Sequence, residues 1–313
     1  MFAKILYPTA FEKFYQDVLG CITNLKRAGT EEIVLLHVIY ALDHSHTADR
    51  FALKLLDNLR NLLGSKMEEA SRVVESAGLR ATVRVEIGVP YREILRVAEE
   101  EKVSLIVSSR ERKGALDEIF FGSTTDKIVR YGTLPVYIPK CPDIYGADRP
   151  NAKAFCRDPF RMVLYPTDWS DCARDAMRYL VGIKEAGIGE VVVAHVMNAK
   201  TMNLQPKDKF QEFERIDQEK LQQTKERLEK EGFKVKTHLQ VGNPRTDLIK
   251  IARQEDVSLI VMGLHGKSHV KGILWGSVSR NVAEYGERPI ILIKGGACKS
   301  DGRANQSSAS PSH

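Results

Sequence analysis

Long apolar runs, cysteine pairs and enzyme signatures are missing from this chain of 313 residues. No apolar stretch approaches the roughly 18 residues that a membrane-spanning helix needs, and Lys4 and Pro8 interrupt the apolar start, so we expect neither a membrane span nor a signal peptide. The five cysteines include no C-x-x-C pair, which argues against a disulfide framework and a structural zinc site, and we expect them to pack as small apolar groups. These absences predict a soluble, cytoplasmic protein.

Signatures of phosphoryl transfer are absent as well. The chain has no Walker A motif, no kinase catalytic-loop motif and no paired carboxylates in its glycine-rich segment. The net charge of +6 is spread through predicted helices rather than gathered into a block. This pattern favours solvated helix faces over a nucleic-acid-binding surface. The sequence therefore predicts no catalytic residue, no metal site and no nucleic-acid partner.

The chain repeats itself. KILYPTAF at 4–11 aligns with MVLYPTDW at 162–169, an offset of 158, and VSLIV at 103–107 recurs at 257–261, an offset of 154. The first half therefore carries four extra residues between its second and third predicted strands. A repeat of this length indicates a duplicated domain rather than a solenoid. We predict one domain over 1–140, a linker over 141–160, a second domain over 161–295 and a disordered polar tail over 296–313.

Each half is predicted to alternate strands with helices. Strands are expected in the second half near 161–166, 190–197, 234–241, 257–263 and 289–294, where short β-branched runs fit strands covered on both faces. Phe210, Phe213, Leu221 and Leu228 are expected on one buried helix stripe, and Asn243 and Pro244 at the start of the next helix. The pattern indicates a small doubly wound α/β domain with a parallel sheet.

The segment GLHGKSHVKGILWGS, 263–277, has the spacing of a loop that wraps a polyphosphate. Glycines let backbone N–H groups approach phosphate oxygens and permit positive φ at little cost. Gly276 and Ser277 are predicted to open a helix whose positive dipole end favours an anion. The alternative for Gly263 and Gly266 is a simple tight turn after a strand.

The ligand crevice of such a sheet lies where the strand order reverses. With the order 3-2-1-4-5, Pro166, Thr167 and Asp168 stand at one wall and Gly263 at the other, so Asp168 could accept from a ribose hydroxyl or a base amine. Asp168 could also cap the following helix. Val196 could offer backbone groups to a base. His37 and His195 occupy equivalent strand ends, which favours a structural role for both. His265 lies inside the loop and could contact a phosphate. The loop also contains Lys267, His269 and Lys271, which are predicted to form a solvated face.

LYPTDWS, VAHV and GLHGKSHVKGILWGSVSRNV resemble the universal stress protein A family, in particular its ATP-binding branch with the signature G-x2-G-x9-G-[ST]. The resemblance covers both halves. It implies two tandem Rossmann-like (adenine nucleotide alpha hydrolase-like) domains, each with a five-stranded parallel sheet, and intramolecular pairing through the last strands at 135–139 and 289–293. It also implies ATP or AMP in the second half, with Asp168 and Val196 at the adenosine, Gly263, Gly266, Gly276 and Ser277 at the phosphates, and Met262 and Val278 flanking them.

The first half departs from this signature. Ala10 replaces Asp168, Ser109 replaces Gly263 and Arg112 replaces Gly266, while Gly122 and Ser123 keep the helix-opening pair. We predict that this half does not bind ATP. The alternative is that Arg110, Arg112 and Lys113 bind some other anion with their side-chain cations.

Three functions remain open from the sequence. The first is a nucleotide-dependent stress-response or regulatory module in which ATP or AMP orders loop 264–276 and alters a surface for an unidentified protein partner. The second is a slow ATPase, with Mg²⁺ arriving on the phosphates of the nucleotide. The third is a structural dimerisation protein without nucleotide dependence. A homodimer is compatible with each of them.

Overall fold

The computed structural model describes residues 1–11, 15–40, 50–108, 122–140, 156–266 and 275–294, with the backbone alone over 50–62. Ser109, Arg110, Arg112, Lys113, most of the predicted linker, Lys267, His269, Lys271 and the predicted tail with Cys298 lie outside these residues. Within the described part no helix is both long enough and apolar enough to cross a membrane.

The first half alternates strands and helices as predicted. Its elements are β1 (Lys4–Pro8), α1 (Tyr15–Ile22), β2 (Glu32–Tyr40), α2 (Arg50–Ser76), β3 (Arg80–Gly88), α3 (Pro90–Glu100), β4 (Leu105–Val107), α4 (Ser123–Tyr131) and β5 (Val136–Ile138). Continuous runs such as LIV in β4 and VYI in β5 are buried at every position. These strands are buried because helices cover both faces of the sheet.

The second half repeats this order. Its elements are β6 (Met162–Pro166), α5 (Asp171–Gly182), β7 (Glu190–Asn198), α6 (Ala199–Met202), α7 (Lys207–Lys230), β8 (Val235–Gly242), α8 (Pro244–Gln254), β9 (Leu259–Gly263), α9 (Ser277–Tyr285) and β10 (Ile290–Ile293). Asn243 is the N-cap of α8 and Pro244 its first residue, as expected. In α7, Leu221 and Leu228 are buried, but Phe213 is 39% exposed, so the predicted buried stripe is wrong at that residue.

All described strands join one ten-stranded sheet of order β3-β2-β1-β4-β5-β10-β9-β6-β7-β8. Neighbours are parallel within each half, so each half has the predicted order 3-2-1-4-5. At the centre β5 and β10 pair antiparallel, with Tyr137 opposite Ile291. The predicted pairing of the two halves through their last strands is confirmed. It removes two sheet edges that would otherwise present unpaired backbone groups.

Two buried lysines connect the halves beside this central pair. The Lys140 Nζ, from the end of β5, donates to the Ala283 carbonyl of α9 at 2.6 Å. The Lys294 Nζ, from the end of β10, donates to the carbonyls of Ile128 and Gly132, at the end of α4, at 2.9 and 2.7 Å. Each half therefore supplies a lysine amine to carbonyls at the C-terminal end of the other half's helix, where the helix dipole favours positive charge.

A disulfide joins Cys21 of α1 to Cys156, which precedes the second half. Our expectation that the cysteines act only as apolar groups is wrong for this pair. Asn24 donates to the Cys156 carbonyl at 2.7 Å beside the disulfide. An odd number of cysteines without C-x-x-C spacing says nothing about which side chains the fold brings together, because these two are 135 residues apart in sequence.

Candidate functional site

The crevice in the second half lies between the carboxyl ends of β6 and β9, which are neighbours in the sheet. After β6 the chain turns through Thr167, Asp168 and Trp169 into α5, and after β9 it continues through Leu264 towards α9. The connections at this point lead to helices on opposite faces, because α5 contributes to one core cluster and α9 to the other. This is the kind of switch point at which open α/β sheets bind ligands.

Asp168 lies against the start of the glycine-rich loop. A Cβ on Gly266 would collide with the Asp168 Oδ2 atom, so the carboxylate faces the backbone of that glycine directly. The other carboxylate oxygen, Oδ1, accepts the Ser170 backbone N–H at 3.1 Å. Ser170, rather than Asp168, is the N-cap of α5 and accepts the Ala173 N–H. The capping alternative for Asp168 is therefore wrong, and one side of its carboxylate faces the predicted phosphate loop.

The loop 264–276 is closed at its base. The Leu264 carbonyl accepts both the Gly276 N–H at 3.1 Å and the Ser279 hydroxyl at 2.6 Å. On the other side, the Ser170 hydroxyl donates to the His265 carbonyl at 3.3 Å. These contacts hold the two ends of the loop together and join them to the turn that carries Asp168.

The glycines of the signature serve close approach rather than unusual dihedral angles. A Cβ on Gly263 would come within 2.6 Å of the Cys172 backbone carbon of α5, and one on Gly276 within 2.6 Å of the Leu264 carbonyl oxygen. Neither residue, nor Gly266, has positive φ. The loop does not use the positive φ that glycine would permit at these positions. Gly263 and Gly276 are small because protein backbone packs against them, and Gly266 is small because the Asp168 carboxylate packs against it.

Helix α9 begins without a side-chain cap. Its N-cap is Gly276, which makes no side-chain hydrogen bond to the helix, whereas Ser170 caps α5 and Asn243 caps α8 with side-chain oxygens. The first N–H groups, from Ser277 onwards, therefore lack the oxygen that most helices supply themselves. An anion would be stabilised there by these donors and by the helix dipole.

The remaining predicted residues surround the same crevice. Pro166 ends β6, and Thr167 is 7% exposed. Val196 lies near the end of β7 at 7% exposure, and Met262 in β9 at 6%. Val278, in the first turn of α9, packs against the core cluster below. The structure thus brings all the predicted residues to one end of the sheet.

The sequence interpretation missed Asp217 of α7. Its carboxylate contacts Trp169 of the site turn and His195 of β7, since it accepts from the Trp169 indole N–H at 2.9 Å and lies 3.2 Å from the His195 Nε2. The helix containing it is rich in Gln, Glu, Lys and Arg, so one more acidic residue did not stand out. The internal repeat contained the signal, because Leu63 stands at the equivalent position of the first half.

The first half keeps the backbone of this turn without its carboxylate. Ala10 stands at the position of Asp168, and Phe11 at that of Trp169. Phe11 and Trp169 both have positive φ, 55° and 67°. The Nδ1 atoms of His37 and His195 lie 2.8 and 2.7 Å from the equivalent carbonyls of Thr9 and Thr167. Each histidine therefore holds its turn in place, which agrees with the structural role expected for both.

The fold and site together define a tandem doubly wound α/β protein with one loop-lined crevice that retains its carboxylate. The universal stress protein family model matches residues 1–140 and 159–294. The chain belongs to the universal stress protein family and contains two such domains.

The chain is similar both to proteins that match about half of it and to proteins that match most of it. Universal stress protein MJ0577 of Methanocaldococcus jannaschii is 33% identical over 156 residues, which are 43% of this chain and 95% of that protein. A universal stress protein of Mycolicibacterium smegmatis is 23% identical over 84% of this chain and 87% of its own. The crystal structure of a universal stress protein from Archaeoglobus fulgidus superposes with a TM-score of 0.68 at 23% identity, covering 93% of this chain and 96% of that one. The last similarity supports the tandem fold.

Proposed function

We propose that the second half binds one adenine nucleotide, ATP or AMP, and that the protein acts as a nucleotide-dependent regulatory module in the stress response. The observation that carries this proposal is the approach of the Asp168 carboxylate to Gly266 at the mouth of a closed-base loop. A larger residue at 266 would fill the space between the two walls of the crevice.

The turn after β6 and the start of α9 would bind different parts of the nucleotide. Asp168 would accept hydrogen bonds from a ribose hydroxyl or the adenine amine, and the backbone of Val196 would contact the base. The phosphates would lie at the uncapped start of α9, near Gly276 and Ser277, and His265 would border them. Helix N-termini bind phosphates in many unrelated folds through the same N–H donors.

The groups that the crevice supplies favour a binding module over a hydrolase, because the backbone N–H donors at the start of α9 and the Asp168 carboxylate bind and orient a nucleotide. Mg²⁺ would arrive with ATP and be held mainly by the phosphate oxygens. Slow hydrolysis remains the alternative outcome, and phosphate release from the purified protein and its Asp168→Ala variant distinguishes the two.

The direct test is calorimetric titration of the full chain with ATP, AMP and cyclic AMP. We expect one site per chain, and we expect Asp168→Ala to weaken ATP binding by about tenfold to a hundredfold, because at least one hydrogen bond to a charged group is lost. The matched control is Asp208→Ala, because Asp208 is an exposed acidic residue in the first turn of α7. This variant should bind ATP like the wild type. Two nucleotides per chain, or equal binding by Asp168→Ala, would overturn the proposal.

A further inference from the structure

The turn that carries Asp168 is held in a conformation that most residues avoid. Trp169 has φ of 67°, in the left-handed region that is costly for a side chain with a Cβ. The Trp169 N–H donates to the Thr167 hydroxyl at 3.2 Å, and the Arg174 guanidinium of α5 donates to the Trp169 carbonyl at 2.8 Å. Because Asp168 lies between Thr167 and Trp169, the direction of its carboxylate depends on how firmly these two neighbours are fixed.

Asp217 fixes both sides of the turn from a different helix. One carboxylate oxygen accepts the Trp169 indole N–H at 2.9 Å. The other lies 3.2 Å from the His195 Nε2, while the His195 Nδ1 lies 2.7 Å from the Thr167 carbonyl. The side chains of His195 and Asp217 are only 11% and 16% exposed. The four residues Thr167, His195, Asp217 and Trp169 therefore form a closed ring of contacts around Asp168, which we call the Asp217 clasp.

Counting donors shows that the clasp needs an additional proton. The Thr167 carbonyl can only accept, so the His195 Nδ1 must carry hydrogen. The His195 Nε2 faces a carboxylate, which also accepts, so a second proton must lie between that nitrogen and Asp217. A neutral imidazole with hydrogen on Nδ1 would present a lone pair to the carboxylate instead. The contact between α7 and β7 is complete only with this proton in place.

Other charged groups border the clasp on each side. Lys220 of α7 places its Nζ 3.5 Å from the Asp217 carboxylate and 5.9 Å from the centre of the Trp169 ring. Arg174 approaches from α5 and Asp168 from the turn itself. Tyr165 of β6 lies below, and burial raises its pKa to about 12, so it stays neutral.

The first half shows that the fold of the turn does not require this clasp. Phe11 has the same left-handed backbone and the same N–H contact with a threonine hydroxyl, at 3.0 Å. Its ring stacks on His37 with centroids 5.5 Å apart, and Leu63 packs against the same core cluster at the position of Asp217. Apolar packing thus suffices where Ala10 replaces Asp168. The polar clasp occurs in the half that retains the carboxylate.

We propose that Asp217 is a positioning residue for the nucleotide site, holding Asp168 in its binding orientation through Trp169 and His195. This inference rests on the proposed function. With both contacts of Asp217 in place, Thr167 and Trp169 are fixed and Asp168 faces the start of the loop. Without these contacts the turn loosens and ATP affinity falls.

Two variants at position 217 separate positioning from general stability. In Asp217→Asn the amide can donate to a neutral His195 Nε2 and accept from Trp169, so the clasp closes without the extra proton. In Asp217→Leu, which copies Leu63 of the first half, both contacts are lost while apolar packing is kept. Asp217→Asn should therefore bind ATP with near wild-type affinity, and Asp217→Leu should bind about tenfold more weakly.

The experiment is calorimetric ATP titration of the full chain and of both variants at one pH, with chemical denaturation of each protein. We expect Asp217→Asn to bind ATP like the wild type and Asp217→Leu to bind about tenfold more weakly. A less stable Asp217→Leu with unchanged affinity, or an equal loss of affinity in both variants, would overturn the inference alone. Absence of ATP binding by the wild type would overturn the proposed function, and this inference with it.

Discussion

The two halves of the chain build the same turn with different chemistry. After β1 and after β6 the backbone has the same left-handed residue, the same threonine hydroxyl contact and the same histidine on a threonine carbonyl. Around this turn the first half places Ala10, Phe11 and Leu63, and the second half places Asp168, Trp169 and Asp217. The fold therefore determines the turn, and the polar residues of the second half are additions that folding alone does not demand.

The largest expected effect is a loss of ATP affinity when a residue of the second half is replaced by its counterpart in the first half. Gly266→Arg copies Arg112, and even its Cβ would collide with the Asp168 carboxylate. The longer side chain would enter the crevice and pair with that carboxylate. We expect ATP affinity to fall by about a hundredfold or more, measured by calorimetry, because the anchor and the space are lost together.

The control for this prediction is Gly20→Arg. Gly20 is exposed on α1, and a Cβ there meets nothing within 4 Å. This variant adds the same side chain to the same protein and should bind ATP like the wild type. If Gly266→Arg binds equally well, the nucleotide lies elsewhere and the comparison between the halves loses its functional meaning.

The second prediction concerns the contact between the halves. Burial lowers the pKa of Lys294 to about 7, well below the ordinary lysine value of 10.5 that applies to the unfolded chain. Between these values the unfolded chain binds the proton that the folded chain has released, so the free energy of unfolding rises with pH. From pH 7 to 9 we expect a rise of about 2 kcal/mol in chemical denaturation, which Lys294→Met abolishes.

Lys234→Met is the control for this rise. Lys234 is exposed just before β8, so its replacement should leave the pH dependence of the wild type unchanged. A rise of the same size in Lys294→Met would show that another group releases the proton. The carbonyls of Ile128 and Gly132 would then be holding Lys294 in its charged form throughout this pH range.

The order of the elements could be predicted from sequence because it depends on local patterns. The β-branched runs, the Asn243-Pro244 helix start and the repeat itself are each visible within a few residues. The strand order 3-2-1-4-5 was assumed for a doubly wound sheet, and the pairing of β5 with β10 followed from the family resemblance. The structure agrees with both. The position of Asp168 near the glycine-rich loop was predictable because parallel strands end at one edge of the sheet.

Contacts between distant elements could not be predicted in the same way. The disulfide between Cys21 and Cys156 and the contact of Asp217 with Trp169 depend on how helices pack over the sheet. Sequence spacing does not specify that packing. Likewise, the small size of Gly263 is explained by the α5 backbone beside it, which a local reading of the loop could not include. The roles of the crevice residues in nucleotide binding remain predictions.

The smallest expected effect compares Lys102 with Asp256, which are equivalent residues before β4 and β9. Both have positive φ, 51° and 48°, so glycine would relieve backbone strain at either position. Lys102 is exposed, and Lys102→Gly should raise the free energy of unfolding by about 0.5 kcal/mol after the entropy of the unfolded glycine is included. Asp256 instead pairs with Arg161 at 2.8 Å and with the buried Arg288 at 3.2 Å. Asp256→Gly should therefore lower the free energy of unfolding by about 1 kcal/mol, since it leaves Arg288 without this partner. Chemical denaturation measures both variants. An equal rise in the free energy of unfolding in both would mean that these ion pairs contribute nothing.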